Sequence, residues 1–525
     1  MNQPSPSSTT PSAKRPLVVV LAESLGTSRD DLTQLLIPIN HKKAPKKLVQ
    51  NLLRQSCQRL ETLRSKMDEL VNDSSEFEAV LPIVQSARNA LAADATLSLD
   101  NAAEQIRAAI ELPSAPVSLL PPLHHTNSLI AQLRQDHQGA AEAIDCAINE
   151  TQVGTPKWPL FLEKARIFED LGRDFGVNHG LGRAQSILED EVLPNIDPHS
   201  HPNDWASAMH TLGNVLGMLG QRQGGSRSLQ RAVEVFESSL ASRDKNASPI
   251  DWAQTHNALG TVLGILGQRQ GDDTLLIRAT ESFRDALTLR QQGTYPHEWA
   301  TTTHNLAAVL QAIGQRKQDS KILKESVEAY RSVLSHWTRE HYPIDWALTM
   351  NNLGTALRLL GEHRKGPRTL EQSVAAYRSA LTERSKEQFP DDWAMTQNNL
   401  GASLQKLAQR EENIDTLVEA INAYESATGV WTKDRAPMSW TMTMGNLAVA
   451  RRTLAEVTSD LEIAKQAVDE LEAVNEAFRE ASHAQYSELG IDQLAQARKL
   501  VETLKNTPEP YPHETPPINL VETRS

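Results

Sequence analysis

From residue 202 onward, apolar and polar positions follow one pattern that keeps returning. After Trp252, Leu259, Gly260, Leu263 and Leu266 stand 7, 8, 11 and 14 positions along, offsets that share one face of a helix. The polar stretch GQRQGDDT follows, and then Leu276, Ala279, Phe283, Ala286 and Leu287 mark a second helix. The pattern predicts a hairpin of two helices, each of about 15 residues. A single hairpin cannot bury its own apolar stripe, so neighbours must stack on one another.

The unit is marked by tryptophan: Trp205, Trp252, Trp299, Trp346, Trp393 and Trp440 each follow the previous one by 47 residues, and Trp158 stands 47 before Trp205 in drifted surroundings. Proline lies three positions before each of the six, at Pro202, Pro249, Pro296, Pro343, Pro390 and Pro437. One position before, Asp204, Asp251, Asp345, Asp392 and Ser439 offer a side-chain acceptor, with Glu298 the weaker exception, which predicts a chain breaker and then a helix N-cap. Gly220, Gly267, Gly314 and Gly361 are expected to end the first helices in a left-handed C-cap. Arg222, Arg269, Arg316 and Arg410 just after them are expected to satisfy those helices' last carbonyls. The tryptophans are expected to fill the junction between hairpins as buried side chains.

These features predict an all-α chain: a right-handed superhelical solenoid of stacked helical hairpins with an α-helical N-terminal module. Residues 1–15, rich in Ser, Thr and Pro, read as a disordered tail, and 16–112 as the module. The run Leu17 to Leu21 could form a strand but has no partner strand. Four prolines in 113–122 make a linker, 123–201 hold degenerate or capping repeats, and 202–482 hold six repeats. A capping helix at 483–505 and a Pro-rich disordered tail at 506–525 complete the chain.

Composition narrows the function. A chain of 525 residues with 39% hydrophobic residues has no apolar run long enough to span a bilayer, and the short run after Lys14 and Arg15 lacks the features of a secretory signal. The net charge of -13 argues against nucleic acid, whose phosphates need a basic face. The one basic cluster, His41, Lys42, Lys43, Lys46 and Lys47, reads as a solvated turn. Two cysteines, Cys57 and Cys146, read as reduced thiols, and the expected location is the cytoplasm.

The Leu259-Gly260 pair followed by Ala279, Phe283 and Ala286 resembles the tetratricopeptide repeat, whose first helix carries Leu-Gly and whose second carries Ala, an aromatic and Ala. That family normally repeats at about 34 residues. This chain is similar to long-period bacterial arrays, its extra residues falling in the hairpin loop and in the junction. The resemblance implies a concave groove lined mainly by first helices and a protein or peptide as partner.

No catalytic residue, cofactor or metal is expected. Cys57 in RQSCQRLE only partly echoes the caspase nucleophile motif, without its glycine. Asp197, His199, His201 and Asp204 lack a recognised zinc spacing and read as a loop between repeats. There is no phosphate-binding loop, GxGxxG or GxSxG motif. What remains is a polar ladder. Five positions past the tryptophans stand His210, Asn257, His304, Asn351 and Asn398, and six past stand Asn305, Asn352 and Asn399. Asparagine can both donate to and accept from an extended peptide backbone, and histidine adds a proton that titrates near neutrality. The resemblance agrees, because asparagines in this part of the first helix contact peptides in several tetratricopeptide arrays, including kinesin-light-chain-like ones. Position five is expected to face the ligand and position six to tie the array together. A carboxylate clamp is not expected, since the ladder holds no Lys or Arg.

The sequence thus predicts a non-catalytic scaffold that binds a partner segment in its groove. The alternative is a sensor or adaptor beside a separate effector enzyme, in signalling or defence, with residues 16–112 as the functional part.

Overall fold

Proline at the first or second helical position sets where each hairpin begins. In the computed structural model, which describes residues 29–36, 46–92, 97–480 and 484–506, the first helices start at those prolines, where the missing N–H costs no hydrogen bond. Among the described residues the α-helices follow in order: α1 (Arg29–Leu36), α2 (Lys46–Asp73), α3 (Leu81–Ala90), α4 (Leu99–Glu111), α5 (Leu120–Leu133), α6 (His137–Glu150), α7 (Trp158–Phe175) and α8 (Asn178–Ile187). The regular hairpins are α9 (Pro202–Arg222) with α10 (Arg227–Ala241), α11 (Pro249–Gln270) with α12 (Asp273–Leu287), and α13 (Pro296–Lys317) with α14 (Ser320–Val333). They continue as α15 (Pro343–Glu362) with α16 (Arg368–Leu381), α17 (Pro390–Glu411) with α18 (Ile414–Thr428), and α19 (Pro437–Thr458) with α20 (Leu461–Glu480), before a final helix α21 (Ala484–Asn506). No strand occurs among the described residues.

The chain divides into two units, Met1–Asn352 and Leu353–Ser525. In the first, consecutive helices pack as hairpins, each second helix also packs on the following first helix, and neighbouring first helices touch, α9 on α11 and α11 on α13. In the second, α16 to α20 pack in the same order, and α21 lies on α20 and α19. There Ala497 joins Ala448 and Leu471, and Val501 joins Ala455 and Ala464, so α21 covers the apolar face of the last hairpin.

In four of the hairpins the aromatic of the second helix explains the Leu-Gly pair; α13 and α19 carry Ala307 and Ala448 there. Phe283 is fully buried, and a Cβ on Gly260 would stand 2.9 Å from its ring, so only glycine leaves room for the ring to seat against the first helix. Phe236 meets Gly213, Tyr377 meets Gly354 and Tyr424 meets Gly401 in the same way. Burying a side chain of this size stabilises by about 2 to 3 kcal/mol.

The second glycine works by the same close approach and not as a helix stop. A Cβ on Gly267 would lie 2.9 Å from Leu276, and Gly220, Gly314 and Gly361 meet Leu229, Leu323 and Leu370. The helices run on past these glycines and are longer than the sequence pattern suggests, 22 residues for α11. Left-handed caps come later, at Gly271 (φ 66°) after α11 and Gln318 (φ 54°) after α13, and likewise at Glu412 (φ 52°) after α17 and Ser459 (φ 56°) after α19, whereas α9 ends on Gln223 in a right-handed conformation. The acids before the tryptophans also differ from expectation. Asp251 sits inside the first turn of α11 and makes no cap bond, acting instead on the helix dipole. True side-chain caps begin the second helices: Asp272 accepts from Thr274 N and Leu275 N, and Asp319 from Lys321 N and Ile322 N.

The arginines after the first helices reach backward. Arg269 donates from Nη1 to Gly220 O at 2.7 Å and from Nη2 to Gln221 O at 2.8 Å, so it satisfies the C-terminal carbonyls of α9, one hairpin earlier, and not those of its own helix. Arg222 donates to Gly172 O, Arg316 to Gly271 O and Arg410 to Gly361 O.

Two further expectations change. The tryptophans are half-buried, not buried; Lys245 lies 4.6 Å from the ring centre of Trp252, Arg339 5.6 Å from Trp346 and Lys386 5.5 Å from Trp393. The Pro-rich 113–122 is no separate linker. Pro121 and Pro122 open α5, and Leu123, Ile130 and Leu133 share a core with Leu32, Leu53, Leu63 and Ile106, so the N-terminal module extends to residue 133. The tails 1–15 and 507–525 and the Leu17 to Leu21 run lie outside the described residues, as do the side chains of the basic cluster. Cys57 and Cys146 are free thiols.

Candidate functional site

Threonine at the third position past the tryptophans from Trp252 onward, buried at Thr255, Thr302, Thr349 and Thr396, anchors the joint between hairpins. Thr255 donates to Asp251 O at 2.9 Å, so its oxygen is left to accept, and His210 of the preceding hairpin meets it from Nδ1 at 3.0 Å. This fixes the proton on Nδ1 of His210. The same arrangement joins His304 to Thr349 at 3.1 Å, Thr349 donating to Asp345 O. Nε2 of His304 is then the acceptor for Asn352 Nδ2 at 3.2 Å. Each imidazole also stands edge-on to an aromatic of its own hairpin, His210 on Phe236 and His304 on Tyr330.

At His210 and His304 position five is therefore an inter-hairpin tie. His210, His304 and Asn351 are buried, Asn257 and Asn398 are half-buried, and Asn351 donates to Asn352 Oδ1 at 3.1 Å. Burial, with Arg243 nearby, holds the His210 pKa down to about 3, so this ring does not titrate near neutrality. Position six is the more open one: Asn305, Asn352 and Asn399 are half-buried and Asn446 is exposed. The burial order is the reverse of the sequence expectation. Position five points back into the joint because a 3.6-residue period places it beside the buried Thr and Leu stripe.

The first unit brings together a second group that the sequence pattern did not reveal. The apolar stripe of α2, including Leu53, Leu60, Leu63 and Met67, faces the N-terminal core, while Arg59, Thr62 and Lys66 face α5, α7 and α9. Arg59 pairs with Asp170, which Arg173 also holds. Between these elements lies a cavity of about 580 Å³. Its walls include His125, Gln132, Glu163, Arg166, Glu169 and Asn214, with His210, Arg243, Asp251 and Gln254 farther along. Burial lowers the pKa of Arg59 and raises that of Glu169, whose carboxyl is hydrogen-bonded by Asn214. Glu163, Arg166, Asp170 and Arg173 stand three or four residues apart, a charged stripe on one face of α7 that was visible in the sequence.

In the loop before α9, Asp197 accepts from His199 N and Ser200 N, so it closes a turn. Among the described residues no three His, Cys, Asp or Glu side chains are grouped to hold a metal, and no helix is long and apolar enough to cross a membrane.

No curated protein matches the chain. Among solved structures, it is similar to a Rap protein complexed with competence and sporulation factor, at 11% identity, with a TM-score of 0.39, covering 76% of this chain and 99% of that one. The P58(IPK) TPR domain matches at 12% identity and a TM-score of 0.24, covering 82% and 100%. A circular tandem repeat protein matches at 14% identity and a TM-score of 0.25, covering 86% and 97%. The tetratricopeptide repeat family model matches residues 299–342, which hold most of α13 and all of α14. The match to the tetratricopeptide repeat thus covers residues 299–342, and hairpins on either side of it repeat the two-helix arrangement with a glycine–aromatic contact at Gly213, Gly260, Gly354 and Gly401.

Proposed function

We propose that this chain is a non-catalytic interaction scaffold that binds a protein or peptide segment along the faces of its first helices. The observation that carries the reading is the openness of position six. Asn305 in the first unit and Asn399 in the second are partly exposed and Asn446 is exposed, while His304 beside Asn305 is buried in the joint. A primary amide presents two donors and an acceptor, enough to grip a backbone without reading its side chains. Rigid helices hold those amides in place, so little order has to be created on binding.

The test uses Asn305→Ala and Asn446→Ala in the full chain. Partner capture should weaken in each while the melting temperature stays within 1 to 2 °C, as a surface change of about 0.5 kcal/mol or less gives. Undiminished capture in both, with loss on changing the exposed Glu281 of α12 to Arg, would move binding to the second helices and overturn the reading.

A further inference from the structure

The cavity under α2 is lined by more cations than acids, with Lys66 also paired to Glu69 and Arg173 to Asp174 beyond the lining. Its cations are Arg59, Lys66, Arg166, Arg173 and Arg243, and its acids Glu163, Glu169, Asp170 and Asp251. Asp170 already serves two arginines, Glu163 accepts from Gln132 Nε2 at 3.1 Å, and Asp251 stands 3.3 Å from Arg243. Donors are left over on the other side. Arg243 is 9% exposed, and its Nε has no hydrogen-bond partner. Arg166 reaches only the hydroxyl of Ser207 at 3.1 Å and a long 3.8 Å contact to Glu163.

A buried guanidinium N–H without an acceptor is costly, and an anion placed there would recover that cost in a medium less screening than water. We propose that the cavity between α2 and helices α5, α7 and α9 binds a metabolite-sized molecule through an oxyanion group, phosphate or carboxylate, held by Arg166 and Arg243. The volume of about 580 Å³ exceeds what a bare ion fills and falls in the range of small-molecule pockets. Such a ligand would touch both the N-terminal module and the repeats. This site is independent of the partner-binding face and stands if partners bind elsewhere.

The experiment is calorimetric titration of the full chain with inorganic phosphate and with citrate, against sodium chloride at matched ionic strength. Wild type should show saturable binding of at least one of the two at or below about 1 mM, phosphate or citrate identifying which group is read. Arg166→Gln, whose side chain is already 45% exposed, should fold as judged by circular dichroism and bind at least tenfold more weakly. Arg243→Met tests the buried donor in the same way. Absence of a response beyond chloride, or equal binding by wild type and folded Arg166→Gln, overturns the proposal.

Discussion

Asn352 donates from Nδ2 to Nε2 of His304, 3.2 Å away and one hairpin earlier, while Nδ1 of the same ring meets Thr349. Both nitrogens of the imidazole are committed to the next hairpin. Replacing His304 by Ala removes a buried ring and leaves a buried threonine and an amide short of a partner. The expected cost is about 2 to 4 kcal/mol, read by denaturant unfolding. A change below about 0.5 kcal/mol would show that the tie does not bear on stability.

His210 sets a pH dependence. Its folded pKa of about 3 lies below the ordinary value of 6.5, so the unfolded chain takes up the proton first. Its contribution to stability is complete above pH 6.5 and is lost progressively as the pH falls from 6.5 toward 3. Each unit in that window removes about 1.4 kcal/mol. His297, likewise held to about 3 by burial, acts in the same direction. Thermal unfolding between pH 7 and 5 should show the loss, and His210→Gln should flatten its share. An unchanged slope in the variant would refute the assignment.

Glycines separate by what surrounds them. Gly260→Ala forces a methyl against the Phe283 ring and should cost about 1 to 3 kcal/mol. Gly182→Ala, in α8 with no atom within 4 Å, should be neutral or stabilising by up to about 1 kcal/mol. Equal effects at the two sites, measured by melting temperature, would contradict the ring-on-glycine contact.

Tryptophan and phenylalanine should rank opposite to their size. Phe283→Ala should cost about 3 to 5 kcal/mol, whereas Trp252→Ala, half-buried under Lys245, should cost about 1 to 2 kcal/mol. Chemical denaturation of the two variants decides the order.

Much of this architecture could be read from residue order alone, because hairpins are local. Pro249 opens α11, and Leu259, Gly260, Ala279, Phe283 and Ala286 announced the contact that holds the hairpin. What the order did not reveal depends on partners far along the chain. Gly267 looks like a helix stop until Leu276 is seen against it. Arg269 looks like a cap for its own helix, yet Gly220, 49 positions back, is what it reaches. The cavity was hidden because Arg59 and Asp170 are 111 residues apart, and no periodicity links α2 to α7. Position five was misjudged because asparagine and histidine are polar, and polarity does not tell an outward side chain from one satisfied in a joint.

The backward reach of Arg222, Arg269, Arg316 and Arg410 gives the array a direction. The end carbonyls of α7, α9, α11 and α15 are completed by residues that come roughly one repeat later. During synthesis, which proceeds from the N-terminus, a newly emerged hairpin stays unfinished until its successor leaves the ribosome. Maturation therefore trails translation by one repeat, and a chain cut short at its C-terminal side exposes bare carbonyls that one trimmed from its N-terminal side does not.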